Sequence, residues 1–186
     1  MEKRKEALLR SLQDGNEAVR KAAADALEKL HVRERLDALE KKASAGEMLE
    51  KIRALYAMAE LKGERILDII GKALKDPSED VRAAAVRALG SMDGRALPRL
   101  IEALSDESPI VVRCAVDAIA RFNDPRALGS LMKALKNQDS GVVEKAIEAV
   151  GRIGDKRCED AMVWFVQKGS EKMKALAIKA LGDMEA

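Results

Sequence analysis

Ala85-Val86-Arg87-Ala88-Leu89-Gly90 decides the fold, because the phrase returns along the chain in altered spelling. Upstream it reads Ala54-Leu55-Tyr56-Ala57-Met58-Ala59 and Ala23-Ala24-Asp25-Ala26-Leu27. Downstream it reads Ala115-Val116-Asp117-Ala118-Ile119-Ala120, Ala146-Ile147-Glu148-Ala149-Val150-Gly151 and Ala177-Ile178-Lys179-Ala180-Leu181-Gly182. The leading alanines stand 31, 31, 30, 31 and 31 positions apart. A fixed period of this size marks a stacked repeat architecture, in which each unit buries its apolar face only against its neighbours. The 186 residues then form one array of units near 1–32, 33–63, 64–94, 95–125, 126–156 and 157–186.

Each period reads as two helices. Ile66, Leu67, Ile70, Ala73 and Leu74 give an i, i+3, i+4, i+7 stripe, and Val81, Ala84, Ala85, Ala88 and Leu89 give a second one. Between them, Asp76-Pro77-Ser78-Glu79 has the spacing of a cap, a first-turn proline and a capping-box glutamate. The same layout predicts first helices near 2–13, 33–43, 65–75, 95–105, 126–136 and 157–168. Second helices follow near 17–30, 47–61, 79–91, 108–122, 140–152 and 171–184. Ala59, Gly90, Ala120, Gly151 and Gly182 share one column. Glycine inside a helix costs stability, so a recurring small residue there implies close approach of the next helix.

Asp76 to Gly90 resembles a HEAT repeat, most closely the subtype first noted in phycobilisome lyases, and the resemblance extends over nearly the whole chain in six units. It implies an all-α, right-handed superhelical solenoid of about six HEAT-like helical hairpins, with the second helices lining the concave face. It also implies a polar ladder between repeats, built from an Asp in the turn and an Arg early in the second helix. Asp14/Arg20 and Asp76/Arg82 match that pattern. Asp106 matches, with Val112 in place of the Arg and Arg113 one position on. Ala45/Lys51 and Asn137/Val143 depart from it, and Lys168/Lys174 reverses the first charge.

Charged residues make up 35% of the chain and the net charge is only +2, spread evenly over both halves, so no basic tract advertises nucleic acid or an anionic membrane. No apolar run reaches the length of a membrane span. Cys114 and Cys158 read as two free thiols in a reducing cytoplasm. His31, the single histidine, is expected at a helix end, where a cation suits the dipole. The HEAT-like family includes a di-iron hydroxylase whose metal is held by His-Glu pairs, and this chain has no such dipeptide. Neither a metal nor another cofactor is expected.

Two features carry the functional expectation. Two places after each leading alanine stand Asp25, Tyr56, Arg87, Asp117, Glu148 and Lys179, flanked four residues away by Arg113, Arg121 and Arg152 among others. This mixed-sign stripe suits a protein surface better than a phosphate backbone. The second feature is Trp164, whose column elsewhere holds Arg10, Lys41, Lys72, Glu102 and Lys133. It is either an exposed anchor for a partner or homodimer, or a cap packed under the final helix. The expected function is a non-enzymatic, cytoplasmic scaffold that binds a protein or peptide on its concave face, as a monomer or weak homodimer. The alternatives are a lyase-like or chaperone-like accessory subunit acting on a cofactor-bearing protein, and a nucleic-acid-binding helical-repeat protein.

Overall fold

The computed structural model describes residues 2–61 and 63–184. Eleven α-helices are present among them: α1 (Glu2–Ser11), α2 (Glu17–Ala45), α3 (Met48–Ala59), α4 (Glu64–Ala73), α5 (Glu79–Gly90), α6 (Leu97–Ala103), α7 (Pro109–Phe122), α8 (Leu128–Ala134), α9 (Ser140–Ile153), α10 (Glu159–Lys168) and α11 (Glu171–Asp183). Short 3-10 turns at Gly94–Ala96, Pro125–Ala127 and Lys156–Cys158 lead into α6, α8 and α10. The architecture is a solenoid of HEAT-like repeats. Second helices pack against second helices along the array, whereas each first helix packs mainly on the second helix of its own repeat.

The first two repeats correct the expected layout. The second helix of the first unit and the first helix of the second are fused into α2, a single 29-residue helix. Leu30-His31-Val32-Arg33-Glu34 contains no glycine, proline or Asx to release the backbone, so helical hydrogen bonding runs straight through. His31 therefore lies exposed in mid-helix, away from any helix end, and the dipole argument does not apply to it.

The junctions leading into α6, α8 and α10 have a chemical stop. Asp93, Asp124 and Asp155 each accept a hydrogen bond from the backbone amide two residues on, at 3.0, 2.9 and 2.9 Å. That residue is Arg95, Arg126 or Arg157, and its guanidinium folds back onto the same carboxylate at 2.7, 2.6 and 2.7 Å. The Arg157 guanidinium and amide hold the Asp155 carboxyl down at about 2. Asn123 and Gly154, 31 residues apart, end α7 and α9 with left-handed backbone, φ 48° and 66°. The turns within repeats use the same device: Asp14, Asp76, Asp106 and Asn137 accept from the amides of Asn16, Ser78, Ser108 and Asp139. Asp76 is thus a turn-closing residue. The cap position of α5 belongs to Ser78, and Pro77 precedes the helix instead of opening it. At Ser108-Pro109 a serine cap and a first-turn proline are both present.

One continuous apolar core runs from Ala43 to Ala180. Ala23, Leu27 and Leu30 are buried outside it, and α1 buries no residue fully, so the first repeat is the most thinly packed. In the centre, the small-residue column does what its spacing implied. A Cβ added at Gly90 would stand 2.7 Å from Ala118 Cβ on α7, and one at Gly151 would stand 2.6 Å from Ala180 Cβ on α11. At Gly182, which has no following helix beside it, the space is open.

The polar ladder has two rungs among the described residues, and both join neighbouring repeats. Lys51 Nζ meets Asp76 Oδ2 at 2.7 Å, so Lys51, which departs from the family pattern, makes a rung nonetheless. Arg82 grips Asp106 with two bonds of 2.9 and 3.1 Å, and also donates to the carbonyl oxygens of Asp76 and Pro77. Burial alone would raise the Asp76 carboxyl, but hydrogen bonds from Lys51 and the Ser78 amide hold it below its ordinary range. Arg20 bonds only the carbonyls of its own turn, because Ala45 offers no carboxylate.

Two substitutions test this packing. Ala118→Leu drives a larger side chain into the Gly90 contact and should cost about 1–3 kcal/mol in a denaturant titration. An unmoved midpoint would show that the alanine column does not set helix spacing. Arg82→Ala leaves Asp106 buried without its partner and should cost about 3 kcal/mol, whereas Arg95→Ala, on the exposed turn, should leave the midpoint in place. Equal effects would remove the special status of the buried rung.

Candidate functional site

The second-helix row places the expected stripe on one surface. Asp25, Tyr56, Arg87, Asp117 and Lys179 are exposed there and Glu148 is half-buried. Arg121 and Arg152 are exposed, and Arg113 is half-buried. The alanine column two positions before the small residues turns inward, which leaves these polar positions facing out. Tyr56 is 41% exposed, a large aromatic surface on a chain with few aromatics.

These residues form local groups and not one charge network. Lys145 Nζ lies 3.2 Å from Asp117 Oδ1 and 3.5 Å from Glu148 Oε2, bridging α7 and α9. Those two carboxylates raise the Lys145 ammonium above its ordinary value, Asp117 first. Lys172 on α11 meets Glu144 on α9 at 2.6 Å. Arg87 is held above its ordinary value first by the neighbouring Cys114 sulfur, against the opposing effect of burial, and further by the nearby Tyr56 hydroxyl. Tyr56, Arg87 and Cys114 are thus neighbours on α3, α5 and α7. The nearness of Cys114 was not read from the sequence, although its place one residue before the leading Ala115 could have pointed to it. The Arg121 guanidinium lies over Gly90: a Cβ there would be 2.8 Å from Nη2. Arg152 lines a groove between α9 and α11 with Glu148, Lys179 and Asp183. Asp25 lies toward the far end of the row, remote from this central group.

Trp164 sits on the opposite row. It is 55% exposed, and its ring meets that of Phe165 edge-on, with centroids 5.0 Å apart. Phe165 is buried. Trp164 is consequently a surface group and not a cap packed beneath the last helix. Met132, Leu135, Lys136, Ala161 and Phe165 form a shallow apolar groove beside it.

The thiols differ. Cys158 is buried, and that burial pushes its thiol up, away from nucleophilic character. Cys114 is half-buried, and both are free thiols. Among the described residues, no three His, Cys, Asp or Glu side chains converge in a way that could hold a metal ion. No helix among them is long and apolar enough to cross a membrane.

Comparisons with known proteins agree with this architecture. Family models described as HEAT repeats match residues 41–113 and 67–150, and a single-repeat model matches residues 6–31. The stretch between the two matched regions lies within fused helix α2. No curated protein sequence matches significantly. A designed armadillo repeat protein in complex with the peptide (KR)4 is 20% identical, with a TM-score of 0.60 over 96% of this chain and 98% of that one. The CpcE–CpcF complex of phycocyanin lyase from Nostoc is 19% identical, with a TM-score of 0.62 over 78% and 96%. Human deoxyhypusine hydroxylase is 20% identical, with a TM-score of 0.64 over 87% and 66%. At these identities the likeness is one of fold.

The exposure of Trp164 has a direct optical consequence. Its emission should be red-shifted and readily quenched by iodide, and Trp164→Lys should leave the thermal midpoint unchanged. A blue-shifted, protected indole in the dilute protein would overturn the assignment.

Proposed function

The chain belongs to the HEAT-repeat family, and from that premise we propose that it is a non-enzymatic scaffold whose second-helix row docks a protein or peptide partner. A stack packed more tightly along one side curves toward that side, so the second-helix row is the inner, concave face. The observation that carries the reading is the register of that row. Side chains at equivalent positions of six consecutive repeats, from Asp25 through Tyr56 and Arg87 to Lys179, stand on one continuous surface. An elongated partner laid along the row meets them in turn. The complex of a designed armadillo repeat protein with a short peptide supports this class of partner for the fold.

The chemistry of the side chains supports binding over catalysis. His31 stands alone on the surface of α2. Cys158 is a buried thiol pushed away from nucleophilic character. The lyase-like alternative is supported by likeness of fold alone, and fold does not carry activity. Two free thiols suit a cytoplasmic setting.

Site-specific photo-crosslinking tests the proposal. A photoreactive residue at Asp117 on the inner row should give a saturable crosslink to partner from the native host extract, competed by unlabelled protein. The same residue at Lys72 on the outer row should give none. Crosslinks of equal yield from Lys72, or yields that ignore the competitor, would refute the inner row as the docking face.

A further inference from the structure

From α4 onward the two faces of the solenoid treat arginine differently. On the first-helix side and its turns, Arg65, Arg95, Arg99, Arg126 and Arg157 are each paired with a carboxylate. Arg65 reaches Asp37 and Glu40, Arg99 reaches Asp68, and the other three hold their own turn aspartates. On the inner side, Arg87, Arg113, Arg121 and Arg152 have no carboxylate partner among the described residues, while the inner carboxylates Asp117, Glu148 and Glu144 are taken by Lys145 and Lys172. Arg121 lies over Gly90, one helical turn from Arg87, and Arg113 lies over Gly141, whose added Cβ would be 3.0 Å from Nη1. These two guanidiniums lie close over small residues of the neighbouring helices, and neither makes an ion pair among the described residues.

We propose that these unpaired inner-face arginines of α5, α7 and α9 bind an acidic, extended polypeptide segment. The inference rests on the docking role of the inner face and supplies the chemistry of its partner. A guanidinium presents planar donors that suit a carboxylate's two oxygens, and the pairing is strong when both are partly desolvated. Geometry supports an extended chain. Packed helices stand about 8–10 Å apart, and a polyproline II chain advances about 3.1 Å per residue with three residues per turn. Acids three positions apart therefore face successive second helices. The Lys-paired carboxylates on α7 and α9 lie among the arginines, so a continuous phosphate backbone would meet carboxylates there, whereas a peptide can set neutral residues opposite them. Tyr56, exposed on α3 beside Arg87, offers an aromatic edge where such a segment enters the row.

Fluorescence anisotropy with defined peptides tests this. The probes are labelled peptides of about four repeats of Pro-Pro-Glu, Pro-Pro-Gln or Pro-Pro-Lys, and a short DNA duplex. The Pro-Pro-Glu peptide should bind, weaken as salt is raised, and exceed the glutamine and lysine peptides by about tenfold or more. Arg87→Gln combined with Arg121→Gln should weaken it about tenfold while the thermal midpoint holds, since neither side chain gives up an ion pair. Arg126→Gln, on the opposite side, should bind as the unaltered protein does. A lysine or glutamine peptide that binds as well as the acidic one, and still crosslinks to position 117, overturns the acidic partner and leaves the docking face standing. A DNA duplex that binds more tightly overturns the peptide in favour of nucleic acid. Absence of binding by every probe, or equal loss in Arg126→Gln, refutes the proposed arginine site.

Discussion

The spacing between successive second helices governs everything else in this molecule. It is set by contact between a small residue and an alanine one repeat on, Gly90 against Ala118 and Gly151 against Ala180. A methyl group more at either glycine would have nowhere to go. Because that approach is so close, the second helices form a contiguous row and the polar positions beside the alanine column are thrown onto a shared surface. The charged rungs Lys51–Asp76 and Arg82–Asp106 then tie adjacent turns at the level of the helix starts. Apolar contact sets the distance between repeats, and the buried ion pairs restrict their register.

Much of this was legible in the residues. The alanine phrase and its 31-residue period identify the solenoid, and the Gly, Pro and Asx punctuation places the ends of most helices. Three things were hidden, each for a physical reason. The fusion in α2 depends on the absence of a breaker at His31, and amphipathic stripes on either side read as two helices whether or not backbone hydrogen bonds join them. The rung made by Lys51 was missed because positions were matched within each repeat, while the ion pair crosses to the Asp of the next. The unpaired state of Arg87, Arg113, Arg121 and Arg152 was invisible because sequence records charge, whereas pairing depends on which side chains the fold brings within reach. Trp164 stood out in its column, but only the structure separates an indole on the surface from one beneath a helix.

The two kinds of turn deserve comparison. Each is closed by an Asx side chain accepting from the amide two residues on. Between repeats, the residue supplying that amide is an arginine that neutralises the carboxylate on the spot. Within repeats, the carboxylate is left for a cation from the preceding repeat, and Asp76 and Asp106 receive Lys51 and Arg82. One backbone motif thus serves two ends, local closure in the first case and attachment between units in the second.

Fused helix α2 has a mechanical consequence. A solenoid bends by small rotations shared among its joints, and the joints leading into α6, α8 and α10 are turns held by a few side-chain bonds. At the first junction the joint is replaced by unbroken helix about 43 Å long. The leading two repeats must therefore swing as one lever arm, and tension or thermal bending in the array is taken up beyond residue 46. Any change in the curvature of the array is then concentrated in the central and distal repeats, where the unpaired arginines of α5, α7 and α9 are carried.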